Sequence, residues 1–337
     1  MNIILDTNIF RNEIRLDSNN IEILLDYLKK TKSSILIPKI ILEELKTLYV
    51  REYKNKIEEY NRTVHKLKVF SPKHEIEEII LSDSRIKREL NNYIKFVFAK
   101  LNIKEKNILK YDNEFLPEVV TRSINKNKPF NDNGKGFQDT IIWLTLKRYC
   151  TSLEEKKLIF ISSNVNDFGK DGILDSELKA ECIIEKIDIF YHKDLFEFAK
   201  KHHKSIEFIT SDWISGIIDD KDFKQSICDY LEYSAQQIII LDYNELEEKM
   251  FNGFVHVLSC EKIKLIEYYI YEIDSDNYIV NASIQVIVLV DFLNENLNSK
   301  YKEVEWEDSA TLQYDLEISI KVDSKKKILK KEISLYF

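Results

Sequence analysis

The chain is poor in glycine and proline, with six and four residues among 337. Its connections must therefore be short or polar, and neither a collagen-like nor a Pro/Gly-rich disordered chain fits. Cysteine is scarce too. The four present (Cys150, Cys182, Cys228 and Cys260) stand alone without a CxxC pair, which argues against a zinc site or a disulfide framework. No run of about 18 uninterrupted apolar residues occurs, and no basic segment followed by a small-residue cleavage site opens the chain. A soluble cytoplasmic protein with no membrane partner is expected. A GxxxxGKS/T phosphate loop and an HExxH pair are also missing, and the six histidines show no metal-ligand spacing. What is present is globular in composition, 44% apolar and 12% aromatic, and long enough for two domains.

A formal charge of -8 argues at first against a nucleic-acid partner, whose binders carry a basic footprint. The distribution of charge points the other way. Residues 51–130 hold 18 Lys/Arg against 12 Asp/Glu, whereas residues 211–337 come to -12. A tail that repels phosphate is compatible with a middle that attracts it.

Up to about residue 208 strand and helix patterns alternate. NIIL (2–5), SILI (34–37), KLIFIS (157–162) and CIIEKIDIF (182–190) read as buried strands. IEILLDYLKK (21–30), QDTIIWLTLKRYC (138–150) and KDLFEFAKKH (193–202) read as helices, and IILEELKTLYVREY (40–53) begins a long one with Pro38 just inside its first turn. Residues 51–125 form a helical insertion, amphipathic at 85–101, followed by a polar, basic loop at 126–137. Such alternation implies an α/β domain over 1–208, a mainly parallel sheet flanked by helices. Ligands of such sheets bind outside the carboxyl ends of the strands. Residues 209–337 change character, with a helical stretch at 221–250 and β-patterned runs at 264–274, 278–292, 311–323 and 328–337. An α+β domain with an antiparallel sheet of about four strands is expected there. It carries no chemical motif.

Chemistry concentrates in acids at element ends. Asp6 leaves the first strand, with Thr7 and Asn8 placed to hydrogen-bond it; Glu44 lies early in the long helix, Asp139 opens a later helix, and Asp167 follows the strand at 157–162. Carboxylates gathered at strand ends suit a hard divalent cation, and such a cation suits phosphodiester hydrolysis. Singly, each position has an ordinary reading: a first-turn Asp caps a helix and favours its dipole.

In order, IILDTNIF, IPKIILEEL, KGFQDTIIWLTL and IFISSNVNDF resemble the successive motifs of PIN-domain nucleases, over about residues 1–205. VVTRSINKNKPF (119–130) resembles a PIN-like branch catalogued as a domain of unknown function. The resemblance implies a PIN-like fold in which Asp6, Glu44, Asp139 and Asp167 are catalytic and hold one or two Mg2+ or Mn2+ ions. Thr7, Asn8, Ser162 and Asn164 would support them from behind. Asn164 stands where the family often has Asp, which leaves the fourth carboxylate to Asp167. Arg122, Lys126, Lys128 and Lys135, ahead of Asp139 on the basic loop, are the candidates for substrate phosphate. The implied activity is a metal-dependent endoribonuclease. Flap-type DNA nucleases share the acid geometry, and a regulatory module with residual acids is the competing class. The C-terminal domain then offers a surface for a protein partner, and family habit suggests a homodimer. Other enzymes fit less well: Asn8 occupies the place of the second Asp of a haloacid-dehalogenase phosphatase, and two acids alone do not define a glycosidase.

Overall fold

The computed structural model describes all residues except 71–76, 131–133, 171, 203–205, 207, 248–250, 252, 296–303 and 336–337, and no side chains at 69–70, 294–295 and 304–307. The chain divides into two compact units, Met1–Phe198 and Ala199–Phe337.

The first unit is built on five parallel strands, β1 (Asn2–Leu5), β2 (Ser34–Pro38), β3 (Ile108–Leu109), β4 (Lys157–Ile161) and, later in the chain, Asp188–His192. Between the last two lies a separate antiparallel pair, β5 (Gly169–Lys170) and β6 (Ile173–Leu174), so Asp188–His192 is β7. The sheet order is β3-β2-β1-β4-β7, with β1 central and in register with both neighbours, Ile3 opposite Ile35 and Ile159. Ile3 and Ile4 are wholly buried, as a parallel strand covered on both faces requires. Strand order reverses at β1. The crevice at the carboxyl ends of β1 and β4 is thus the switch point at which such sheets bind ligands.

The helices of this unit are α1 (Thr7–Asn12), α2 (Asn19–Thr31), α3 (Lys39–Phe70), α4 (Asp83–Lys100), α5 (Leu116–Asn125), α6 (Phe137–Ser152) and α7 (Ser176–Glu185); α8 (Leu195–Lys201) spans the junction of the units. Local chemistry sets their ends. Ser18 Oγ accepts from Ile21 N at 3.1 Å to start α2, and Lys32 closes it in the left-handed conformation. α6 is buried on nearly all sides, from Thr140 to Lys147, with Trp143 at its centre.

Three expectations change. Pro38 ends β2, opposite Leu109, and the long helix starts one residue later. The stretch 51–125 is not wholly helical, because β3 within it extends the sheet. Residues 182–185 belong to α7, not to a strand: Asp175 caps that helix through Glu177 N, and Lys186 N–H closes it on Cys182 and Ile183 carbonyls. Both caps act locally and outweigh the β-branched run, which leaves Ile183 and Ile184 exposed.

The second unit is a four-stranded antiparallel sheet, β8 (Phe254–Glu272), β9 (Asn277–Glu295), β10 (Val304–Asp323) and β11 (Ile328–Leu335), in the order β11-β10-β9-β8. Helices α9 (Ser211–Ile218), α10 (Lys221–Ser234) and α11 (Gln236–Glu247) share one core with it. The alternation of β9 supplies that core, with Val280, Ile284, Val286, Val288 and Val290 turned inward. Tyr243 of α11 stacks on Phe292 at 3.7 Å between ring centres. α9 escapes a reading by composition, because its start depends on the Thr210 cap. The last residues of the 221–250 and 328–337 expectations lie outside the described residues. All four cysteines are free and buried.

Candidate active site

Asp6 leaves β1 and caps α1. Its backbone N–H bonds Ile161 O of β4 at 2.9 Å, which pins it at the switch point. Its carboxylate is buried and accepts from Thr7 N at 2.7 Å, from Ser162 Oγ at 2.6 Å and from Asn8 Nδ2 at 3.0 Å. Asn8 reaches the far strand as well, its Oδ1 accepting from Ser163 N at 3.1 Å. Thr7 turns the other way and donates to Glu44 Oε2 at 2.6 Å, tying α1 to α3. Asn164, beyond β4, donates to Asp139 Oδ1 at 3.0 Å and takes its own place from the bond of its N–H to Ser162 Oγ at 3.1 Å. Every one of these short polar side chains holds a carboxylate or holds the residue that does.

Asp6, Glu44, Asp139 and Asn164 line one cavity of about 560 Å³. Burial pushes Asp6 and Asp139 up to a pKa of about 6; the Glu44 charge adds to the first, and the Asp6 and Asp167 charges add to the second. Glu44 is raised by burial and by Asp139, against the lowering effect of Thr7. The acids therefore feel one another across the cavity. Asp167 does not line the cavity. It is buried beside Asp139, and its Oδ1 makes no hydrogen bond.

Asp139 depends on a glycine for its position. Gly136 precedes α6 at a φ of +128°, its carbonyl accepting from Thr140 N at 2.8 Å. A Cβ there would lie 2.6 Å from Pro129 O and 2.7 Å from Phe130 Cα. Gly136→Ala is expected to cost about 1–2 kcal/mol, since both the backbone angle and the contact must give. Chemical denaturation measures this, and an unchanged midpoint would show that the loop relaxes freely.

The basic candidates land elsewhere. Arg122 is buried, bonded to Glu118 and Glu181, and Lys147 joins it on Glu181 at 2.8 Å while Trp143 Nε1 donates to the same carboxylate at 3.0 Å. Arg122 thus fastens α5 to α7 and is unavailable to substrate, because a buried ion pair cannot surrender one partner without stranding the other charge. Lys128 donates from its side chain to Asn166 O and from its backbone to Glu177. Lys126 and Lys135 are exposed, and none of the four is among the cavity-lining residues. Arg11 of α1 and Arg51 of α3 are. Sequence reading missed both: Arg11 follows Asp6 by five residues on the helix that Asp6 caps, whereas Arg51 comes to the cavity only through the packing of α1 against α3. One signal was available: Arg51 lies seven residues after Glu44, two helical turns along the same face.

A carboxylate-lined cavity at the switch point of a parallel α/β sheet offers the oxygen donors that suit a hard cation. Residues 3–168 match the family model of the PIN domain, and this part of the chain belongs to that family. PIN domains are generally nucleases, and they typically use divalent metals. No curated protein and no solved structure matches the chain. Among the described residues, no group of three or more His, Cys, Asp or Glu side chains is drawn together so as to hold a metal ion. The donor chemistry nonetheless fits a water-rich ion. Mg2+ keeps several of its waters and takes only one or two carboxylates; the cavity presents Asp6, Glu44 and Asp139 together with Glu43, which Lys46 engages, and Asp167 is buried beside Asp139 with its Oδ1 unbonded.

Proposed function

We propose that the chain is a metal-dependent endoribonuclease that hydrolyses RNA phosphodiester bonds. The observation that carries this reading is the convergence of Asp6, Glu44 and Asp139, from three separate elements, on one cavity. Mg2+ or Mn2+ is the proposed cofactor, held by those three acids, with Asp167 the fourth donor to Asp139's side. When bound, such an ion neutralises charge on the phosphate and makes water a stronger nucleophile near neutral pH.

The chain's own residues do the positioning. Thr7 N–H, Ser162 and Asn8 occupy the inner lone pairs of Asp6, so the rest of its acceptor capacity faces the cavity. Thr7 and Asn164 fix one oxygen each of Glu44 and Asp139 and leave the second. Burial keeps water from screening the acids, which raises their affinity for a cation and their cost without one.

End-labelled single-stranded RNA, duplex RNA and flapped DNA, incubated side by side with Mn2+, provide the test. Internal cleavage of single-stranded RNA is expected. Faster cutting of the flap would move the protein to the structure-specific DNA nucleases. An intact set of substrates with either ion would favour a regulatory module.

A further inference from the structure

The cavity carries more than acids. Arg11, Arg51 and Tyr111 line it too, and all three are solvent-accessible, the arginine side chains 60% and 56% exposed and Tyr111 44%. Both guanidinium groups lean on one carboxylate, Glu52, at 3.8 Å from Arg11 and 3.4 Å from Arg51. Pairs this long and exposed are weak and screened, so either arginine can leave Glu52 for a better anion at little cost. A guanidinium fork matches a phosphate better than a lysine would. Tyr111 presents a large, partly exposed ring in a lining that also holds Ile40 and Leu48, with Lys39 Nζ 5.8 Å from the ring centre; an exposed aromatic ring is a surface on which a base can stack.

Charge supports the same division of labour. Four acids line the cavity, Asp6, Glu43, Glu44 and Asp139, against two arginines. Ionised and without a cation, this wall repels phosphate; one divalent ion brings it to neutrality. Glu43 is already engaged by Lys46 at 2.8 Å, so the repulsion centres on the other three. A cation held by the acids would lower this repulsion, and the two arginines are the cavity's own positive groups.

We propose that Arg11 and Arg51 hold the phosphates flanking the reacting one, and that Tyr111 stacks on an unpaired base, so that the cavity selects a single-stranded segment. This rests on the nuclease reading above. A base inside a duplex has both faces covered by its neighbours and must be unstacked before a side chain can reach it. Tyr111 therefore rewards strands whose bases are already free.

Cleavage kinetics on a single-stranded RNA and on its duplex, over a salt series with Mn2+, test the proposal with Arg11→Ala, Arg51→Ala, Arg51→Gln, Tyr111→Leu and Tyr111→Phe. Each arginine variant is expected to raise KM about tenfold and to flatten the salt dependence by roughly 0.7 in log–log slope. Tyr111→Leu should lose about five- to hundredfold on the single strand and hardly anything on the duplex, and Tyr111→Phe should keep the wild-type preference. Circular dichroism and melting confirm that each variant is folded. Folded variants that cut within twofold of wild type, with the same salt slope and strand preference, overturn the proposal while leaving the nuclease reading intact. A wild-type chain that cuts nothing overturns the nuclease reading itself, and the proposal with it.

Discussion

Asp139→Asn is expected to lower Mn2+-dependent cleavage by about a thousandfold and to leave the fold as it is. The size follows from the several kcal/mol that a correctly held cation contributes at the transition state, at ~1.4 kcal/mol per factor of ten. The intact fold follows from the bonding of Asp139. Its one side-chain partner among the described residues is a donor, Asn164 Nδ2 at 3.0 Å, and an asparagine oxygen can accept that bond as well. Asp6→Asn should be as inactive but is the less clean variant. Both Asp6 oxygens already accept, from Thr7 N on one and from Ser162 Oγ and Asn8 Nδ2 on the other. An amide NH2 in either place meets a donor and leaves at least one buried hydrogen bond unmade, at about 1–3 kcal/mol. Comparing the two variants by single-turnover cleavage and by circular dichroism separates chemistry from folding. Wild-type rates in a folded Asp139→Asn would remove this carboxylate from the mechanism.

What the sequence discloses of this site is governed by range. Asp6, Thr7, Asn8, Ser162 and Asn164 were legible because each sits at the end of a strand whose apolar run is unmistakable, and strand ends of a parallel sheet converge by topology. Glu44 and Asp139, each with an ordinary helical reading of its own, stand out only through the resemblance of the ordered motifs to PIN domains. The basic residues were not legible. Arg122 looked like a phosphate contact because it lies on a basic stretch near Asp139, yet Glu118 four residues before it and Glu181 on another helix take it into the interior. Charge runs record composition and not which face a helix turns inward. Arg11 and Arg51 belong to segments 40 residues apart, and nothing short of the packing of α1 on α3 joins them at one cavity. The same limit explains α7. Its Cys-Ile-Ile stretch has strand character, and only the caps at Asp175 and Lys186 show that the backbone is helical.

The acids should also be visible without any substrate, as a stability cost that a cation relieves. Asp139 has a pKa of about 6 in the folded chain against 3.8 for the free side chain, with burial as the chief cause and the Asp6 and Asp167 charges next. A raised folded pKa means that the folded state binds the proton more tightly than the unfolded state. The associated stability is fully present below the unfolded pKa of 3.8 and is lost as pH rises through about 6. Metal-free Asp139→Asn should therefore be more stable than wild type at pH 7, by on the order of 1–2 kcal/mol once partial exposure is allowed for. About half of that advantage should remain near pH 5. Glu181 is held below its usual range by Arg122 and Lys147 despite its burial, so it weakens the fold only under more acid conditions. His202 is lowered by burial and by the Lys201 charge, but it is common to both proteins and cancels in the difference. Mn2+ reverses the order. At a hundredfold excess over its Kd it stabilises wild type by about 2.7 kcal/mol, roughly 5–10 °C in Tm for a unit of this size, and should hardly move Asp139→Asn. Melting curves at pH 5 and 7, with EDTA and with Mn2+, read all four quantities. Equal Tm values for the two proteins at pH 7 in EDTA would mean that the acids carry no strain, and a shared Mn2+ shift would place the ion elsewhere on the chain.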